Sequence, residues 1–319
     1  MSIDRESSVK LQCAPAVLML RPARFGFNAQ TAPSNRFQHD DSAGGDPNHA
    51  LLEFASFASA LADAGVRTCV VDDTPEPQKP DAVFPNNWVS FHGDGTIVLY
   101  PMQAANRRLE RRPDVLASVE SAIGFRCSHL LDLSGEESHG RFLEGTGSLV
   151  LDHVERVAYA CRSPRTDEAL VREWAQALRY QPEIFDAAGT DGAAVYHTNV
   201  LLSIGSRYAL LCSDALARAD RVRVRARLQA SGRQLIEISR RAMHEFAGNV
   251  LELRAQAPAR PGQSLMVMSM RARAALDALQ WQQINESVER VLVVALPTIE
   301  TLGGGGARCM LAEVPEIAA

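Results

Sequence analysis

Two apolar runs near the middle of the chain, Ser148–Leu151 and Val157–Ala160, are joined by a link of only five residues. Parallel strands need a crossover of a dozen or more residues, so this pair has to fold back as a hairpin. Elsewhere, short strand-like runs alternate with longer stretches of helical period, as in an α/β chain. A single doubly wound sheet is therefore excluded. Units of two or three strands plus a helix, set radially like a propeller, are expected instead, although no internal sequence repeat marks them.

Further strands are expected at Ala16–Leu20, Arg67–Val71, Thr96–Tyr100, Asn199–Ile204, Tyr208–Cys212, Gln234–Glu237, Val250–Arg254, Ser264–Met268 and Val291–Ala295. The clearest helix should start at Asp46-Pro47, carry Leu51, Phe54, Ala58 and Leu61 on one face, and stop at Gly65. Other helices are expected over Ala104–Ala122, Thr166–Leu178, Ala215–Ala230 and Ala272–Glu286, and a loop over Asp72–Pro85. A chain of 319 residues, 46% of them hydrophobic, can bury a large core, and no linker divides it, so residues 1–319 are read as one domain.

A net charge of −5 offers no basic field for nucleic acid or an anionic membrane, so a small-molecule partner is expected. The apolar stretch Ala14–Leu20 is too short to span a bilayer, and a cytoplasmic location is expected. The six cysteines are scattered, encoding neither a zinc knuckle nor a local disulfide scaffold. Among the eight histidines no adjacent-turn pair suggests a metal, and His129 and His139 have no evident role; no metal or cofactor is expected.

The sharpest local feature is the run Gly303-Gly304-Gly305-Gly306-Ala307-Arg308-Cys309. Four glycines in a row cost backbone entropy and need a reason, such as unusual backbone angles or close approach to a ligand. A flexible turn beside a buried cysteine is the plain alternative. A cysteine nucleophile needs a base or a cation beside it, and His197, just before a strand, is the best candidate. Glu144, followed by Gly145-Thr146-Gly147, is a candidate carboxylate. Taken singly, His197 reads as a structural histidine and Glu144 as a solvated loop residue.

Taken together, these segments resemble a family. Phe84-Pro85-Asn86-Asn87, Tyr100-Pro101-Met102 with Arg107-Arg108, Glu144-Gly145-Thr146-Gly147, Ser163-Pro164-Arg165-Thr166, His197-Thr198-Asn199 and the glycine run with Cys309 follow one another like the ordered motifs of arginine deiminases and amidinotransferases. With Arg21–Asn28 near the start, the likeness is strongest to the citrulline-utilisation hydrolase, or citrulline ureidase-like, branch of this guanidino-group-modifying superfamily. The resemblance implies the pentein α/β-propeller, five ββαβ-type units around a pseudo-five-fold axis. It further implies Cys309 as nucleophile, His197 as general acid/base and Glu144 as the carboxylate orienting it. Arg107 and Arg165 would bind the substrate α-carboxylate, and Asp81 would lie near its amine.

Where guanidinium deiminases carry two aspartates, this chain has Asn87 and Asn199. Two neutral amides suit a neutral ureido head better than a cation, so the expected substrate is L-citrulline, cleaved to ornithine, carbon dioxide and ammonia. The alternatives are an arginine deiminase, dihydrolase or amidinotransferase, and a catalytically silent amino-acid-binding protein. Left open by the sequence are a homodimer, which of Asn86 and Asn87 faces the pocket, and whether Phe25–Gln38 recognises substrate or covers the barrel end. Backbone N–H groups of Gly303–Cys309 are expected to stabilise an oxyanion, and a protonated His197, with Arg308, to favour the thiolate.

Overall fold

A computed structural model of the chain describes residues 12–40, 48–256 and 262–317. Its strands form five three-stranded sheets, each with the same plan. In the second sheet β3 (Val89–Phe91) runs antiparallel to β4 (Thr96–Leu99), and β4 pairs parallel with β5 (His129–Asp132). The plan recurs in β6 (Val150–Asp152), β7 (Val157–Cys161) and β8 (Gln181–Phe185). It recurs again in β9 (Leu202–Ile204), β10 (Tyr208–Leu211) and β11 (Gln234–Glu237), and in β12 (Leu251–Ala255), β13 (Gln263–Ser269) and β14 (Arg290–Val294). The first sheet has β1 (Ala16–Arg21) at its centre, parallel to β2 (Arg67–Asp72), and takes its antiparallel strand from β15 (Ala312–Val314). The chain is thus an α/β pentein propeller of five ββαβ-type units, with β15 completing the unit that β1 begins.

Each parallel step is bridged by a helix, as its geometry demands: α1 (Asn48–Asp63), α2 (Pro113–Ile123), α3 (Glu168–Leu178), α4 (Arg218–Ala230) and α5 (Ala278–Ser287). The expected start of α1, Asp46-Pro47, lies outside the described residues. Its buried face is Ala50, Phe54, Phe57 and Leu61, whereas Leu51 is 38% exposed, so the stripe is turned from the one expected. Over Ala104–Ala122 the expected single helix is broken. Ala105–Glu110 forms a 3-10 helix and α2 starts at Pro113, which a helix interior would not accommodate. Ala272–Glu286 is split likewise, because Asp277 caps α5 in a reciprocal pairing with Gln280.

Strands β3, β5, β8 and β15 were not among those expected. They are short or carry few apolar residues, and β8 contains a proline. Conversely, the expected strands Ser148–Leu151 and Asn199–Ile204 begin late. Their first residues are wound into helical turns, Gly145–Ser148 and Thr198–Val200. The turns Pro85–Asn87 and Ala307–Met310 precede β3 and β15 in the same way. The turn 145–148 packs against those at 85–87 and 198–200, and 85–87 packs against 307–310, so the ends of several first strands meet in one place.

Candidate active site

The segments that meet there carry the chemistry. A single small cavity is walled by Cys309, His197, Asn87, Asp81, Arg107, Arg165, Phe84, Tyr196, Asn35 and Gly303 to Gly305. Its free space is about 10 Å3, room for roughly one water molecule.

Glu144 is fully buried behind this wall. Its Oε2 accepts from His197 Nε2 at 2.9 Å and from Arg165 Nη1 at 3.3 Å, while Oε1 accepts from the Gln103 N–H at 3.1 Å. Burial alone would raise the Glu144 pKa, but Arg165, the His197 hydrogen bond and Arg107 outweigh it and hold the carboxylate below its ordinary range. Burial pushes His197 the other way for its charge type, down to about 4 despite Glu144, so the imidazole is neutral at pH 7. Burial also raises the Cys309 thiol, opposed by Asn249, Arg308 and Asn199. The resting pair is therefore neutral thiol and neutral imidazole. The expected protonated His197 is not what faces the sulfur, and Arg308 turns its guanidinium to Glu313 and the Leu311 carbonyl.

The arginines are less free than a carboxylate clamp requires. Arg107 donates Nε and Nη2 to Glu110, both at 2.9 Å, and Nη1 to Asn87 Oδ1 at 2.8 Å. Arg165 is spent on Glu144, on Ser34 and on the Thr31 carbonyl. To grip a substrate carboxylate, either would have to exchange a partner. Asp81 differs: Oδ2 accepts from Asn28 and Thr31, but its buried Oδ1 has no hydrogen-bond partner. Asn87 lines the cavity and Asn86 does not. Asn87 Nδ2 and both polar side-chain atoms of Asn86 are buried without partners. Asn199 Nδ2 points at Cys309 Sγ, 3.5 Å away.

Part of the Phe25–Gln38 segment covers the site. Asn35 Nδ2 donates to the carbonyls of Gly303 and Gly304, each at 3.3 Å, and Gln38 Nε2 to that of Leu302 at 3.1 Å. The glycines permit this contact: Gly304 has φ +63, and a Cβ there would sit 2.7 Å from the Gln38 nitrogen. In the same turn the N–H groups of Gly304 and Cys309 donate to Glu300 and Gly306 carbonyls, so these two are not offered to an oxyanion. His39 is exposed and does not line the cavity.

Gly147 is needed for a different reason. A Cβ on it would lie 2.4 Å from Asn87 Nδ2 and 2.7 Å from His197 Nδ1. Gly147→Ala is expected to displace the imidazole and lower turnover by about 100-fold, since misplacement on the ångström scale costs that much. Kinetics alongside a thermal melt check this; wild-type turnover would show that the imidazole has room to spare.

One contact was not foreseen from the sequence. Asn249, just ahead of β12, donates Nδ2 to Cys309 Sγ at 3.2 Å. It stands two residues before its strand, as Asn87 does before β3, but that equivalence exists only once the strands are placed.

Among the described residues, no cluster of three or more histidine, cysteine, aspartate or glutamate side chains is arranged to hold a metal ion. Nor is any helix among them long and apolar enough to cross a membrane. Residues 21–316 match the family model described as N,N dimethylarginine dimethylhydrolase, eukaryotic. No curated protein sequence matches the chain. Of solved structures, the substrate-bound N-terminal domain of ArgZ, an arginine dihydrolase of the ornithine–ammonia cycle in cyanobacteria, is similar with a TM-score of 0.72 at 17% identity, over 94% of this chain and 98% of that one. Unliganded AgrE gives 0.73 at 19% identity, over 95% of this chain and 40% of its own. A dimethylarginine dimethylaminohydrolase adduct gives 0.63 at 14%, over 94% and 99%. At these identities the structural likenesses bear on the fold.

Proposed function

Since this chain belongs to the N,N dimethylarginine dimethylhydrolase family and is a cysteine-nucleophile hydrolase of non-peptide C–N bonds, we propose that it acts on the guanidino group of arginine or of an arginine substituted on its terminal nitrogens. This favours one of the alternatives weighed from the sequence over L-citrulline. The observation that carries it is one cavity walled by the Cys309 thiol, His197 backed by Glu144, and Asp81 with a buried carboxylate oxygen left unpartnered. Burial raises the Asp81 carboxyl and pushes Glu110 up to about 7, so a bound cation beside the unpartnered Asp81 oxygen would favour its ionised form.

In this reading the Cys309 proton passes to His197, and the thiolate attacks the guanidino carbon to form a C–S bond. A C–N bond breaks as His197 returns the proton to the departing amine. Water, deprotonated by His197, then adds to the same carbon, the C–S bond breaks, and the thiol is restored. Glu144 holds the imidazole by accepting from Nε2. Arg107, Arg165, Asp81 and Asn87, which line the cavity, bind the amino acid once that cavity has opened. Residues 1–319 act as one catalytic domain with a small-molecule amino acid as partner.

A ureido substrate keeps support from one observation. Asn87 Nδ2 is a buried donor without a partner in the cavity wall, and it suits a ureido oxygen. The deciding experiment measures ammonia, dimethylamine, citrulline and ornithine released from L-arginine, N,N-dimethylarginine and L-citrulline. Turnover of either guanidino substrate well above that of citrulline supports the proposal; ornithine from citrulline alone would replace it with the ureido reading.

The neutral resting pair gives a pH prediction. Burial raises the thiol above its ordinary value of 9.0, so alkylation of Cys309 by iodoacetamide in the substrate-free protein should climb through an inflection above that pH. A rate already level at neutral pH would mean a preformed ion pair.

A further inference from the structure

Asn249 is 2% exposed and makes two hydrogen bonds with the same nitrogen. Nδ2 donates to Cys309 Sγ and, at 3.2 Å, to the Asn199 carbonyl, whose own side-chain Nδ2 also points at the sulfur. The second bond fixes the amide's orientation. Turned over, Asn249 would set its Oδ1 against the Asn199 carbonyl, acceptor against acceptor, so the N–H side faces the sulfur. Gly306 leaves room for it, because a Cβ at that position would come within 2.9 Å of Asn249 Oδ1.

A buried sulfur that must become an anion needs a donor or a positive charge close to it. His197 is neutral, and Arg308 directs its donors to Glu313 and the Leu311 carbonyl. The Gly306 backbone N–H and the more distant charge of Arg308 also favour the thiolate, but the side chains at hydrogen-bond range of Sγ among the described residues are the two asparagine amides, and Asn249 is the nearer and the stronger influence.

We propose that Asn249 is a positioning residue for the nucleophile, donating its side-chain N–H to Cys309 Sγ so as to hold the sulfur in place and stabilise it as the thiolate, with Asn199 as the weaker second donor. The proposal rests on Cys309 being the nucleophile and deepens that reading. It also gives Asn199 a task on the enzyme's side of the reaction, where the sequence suggested contact with the substrate head.

The test is a titration that needs no substrate. Iodoacetamide labelling of Cys309, followed by mass spectrometry of its peptide, is measured against pH in wild type, Asn249→Ala, Asn249→Asp and Asn249→Ser. In Asn249→Ala the inflection should rise by about one pH unit, so that labelling at a fixed pH below it slows about ten-fold. The aspartate variant, which sets a carboxylate against the sulfur, should shift further, and the serine hydroxyl should recover part of the loss. An inflection common to all the proteins, with rates changed in parallel at every pH, would indicate a purely structural role and overturn the proposal. Should the Asn249 variants not fold, Asn199→Ala is expected to shift the inflection in the same direction by less, and an unmoved inflection there would also overturn it. A Cys309→Ala protein that still turned over substrate would instead remove the nucleophile reading, an outcome separate from the titration.

Discussion

Cys309→Ala is expected to bind substrate and to turn over none of it above background, a loss of at least about 10⁴-fold. The reason is that the sulfur forms the bond that the rest of the site serves. His197 has no second thiol in the cavity wall to deprotonate, because the remaining cysteines lie outside it, and the Tyr196 hydroxyl there already donates to the Gly304 carbonyl. Cys161 shows the contrast: it is fully buried away from the cavity and its thiol is pushed up to about 12, so Cys161→Ala should leave turnover intact. Folding should survive the loss of Cys309 Sγ, whose contacts are two N–H···S bonds at 3.2 and 3.5 Å rather than a charge pair. A calorimetric titration of Cys309→Ala with the best substrate reads binding without turnover. Wild-type rates in this variant would mean that water is activated directly.

Why so much of this site was readable before folding, and Asn249 was not, has a physical basis. Cys309, His197 and Glu144 are reactive or ionisable types beside glycines or at strand entries, and such residues stand out in a chain with few of them in ordered motifs. Asn249 is a neutral amide in Ala247-Gly248-Asn249-Val250, with nothing local to distinguish it from a turn. Its importance comes from the ring, which brings the start of β12 beside the turn before β15. The same holds for the strands. Tyr208–Leu211 is apolar enough to be seen alone, whereas β5 is mostly exposed and β15 is three residues long. These last two are strands because a partner offers them a ladder. The expected grip of Arg107 and Arg165 on a carboxylate shows the converse limit: sequence order identified the residues, but only packing shows Glu110 and Glu144 already occupying them.

Glu144→Gln should be the most damaging near-isosteric change in the protein, in stability as well as rate. The wild-type carboxylate is 0% exposed, bonds to His197 and Arg165, and lies 3.9 Å from Arg107. An amide keeps the shape but leaves those guanidiniums with one negative charge fewer, and breaking one side of a buried pair typically costs about 3–5 kcal/mol. Catalysis loses the acceptor that fixes the imidazole's tautomer, for which about a 10⁴-fold fall is the precedent in a histidine–carboxylate pair. The pH dependence separates this from simple misfolding. A carboxylate whose folded pKa is depressed contributes stability above its unfolded pKa, about 4.3, and loses that contribution as pH falls toward the folded value. The difference in stability between wild type and Glu144→Gln should therefore be largest and flat above about pH 5 and shrink by about 1.4 kcal/mol per unit below pH 4, as protonation makes the wild-type group neutral too. Urea unfolding at several pH values reads this directly. A gap independent of pH would mean that Glu144 acts through packing alone and that its charge is not what orders the two arginines and the histidine.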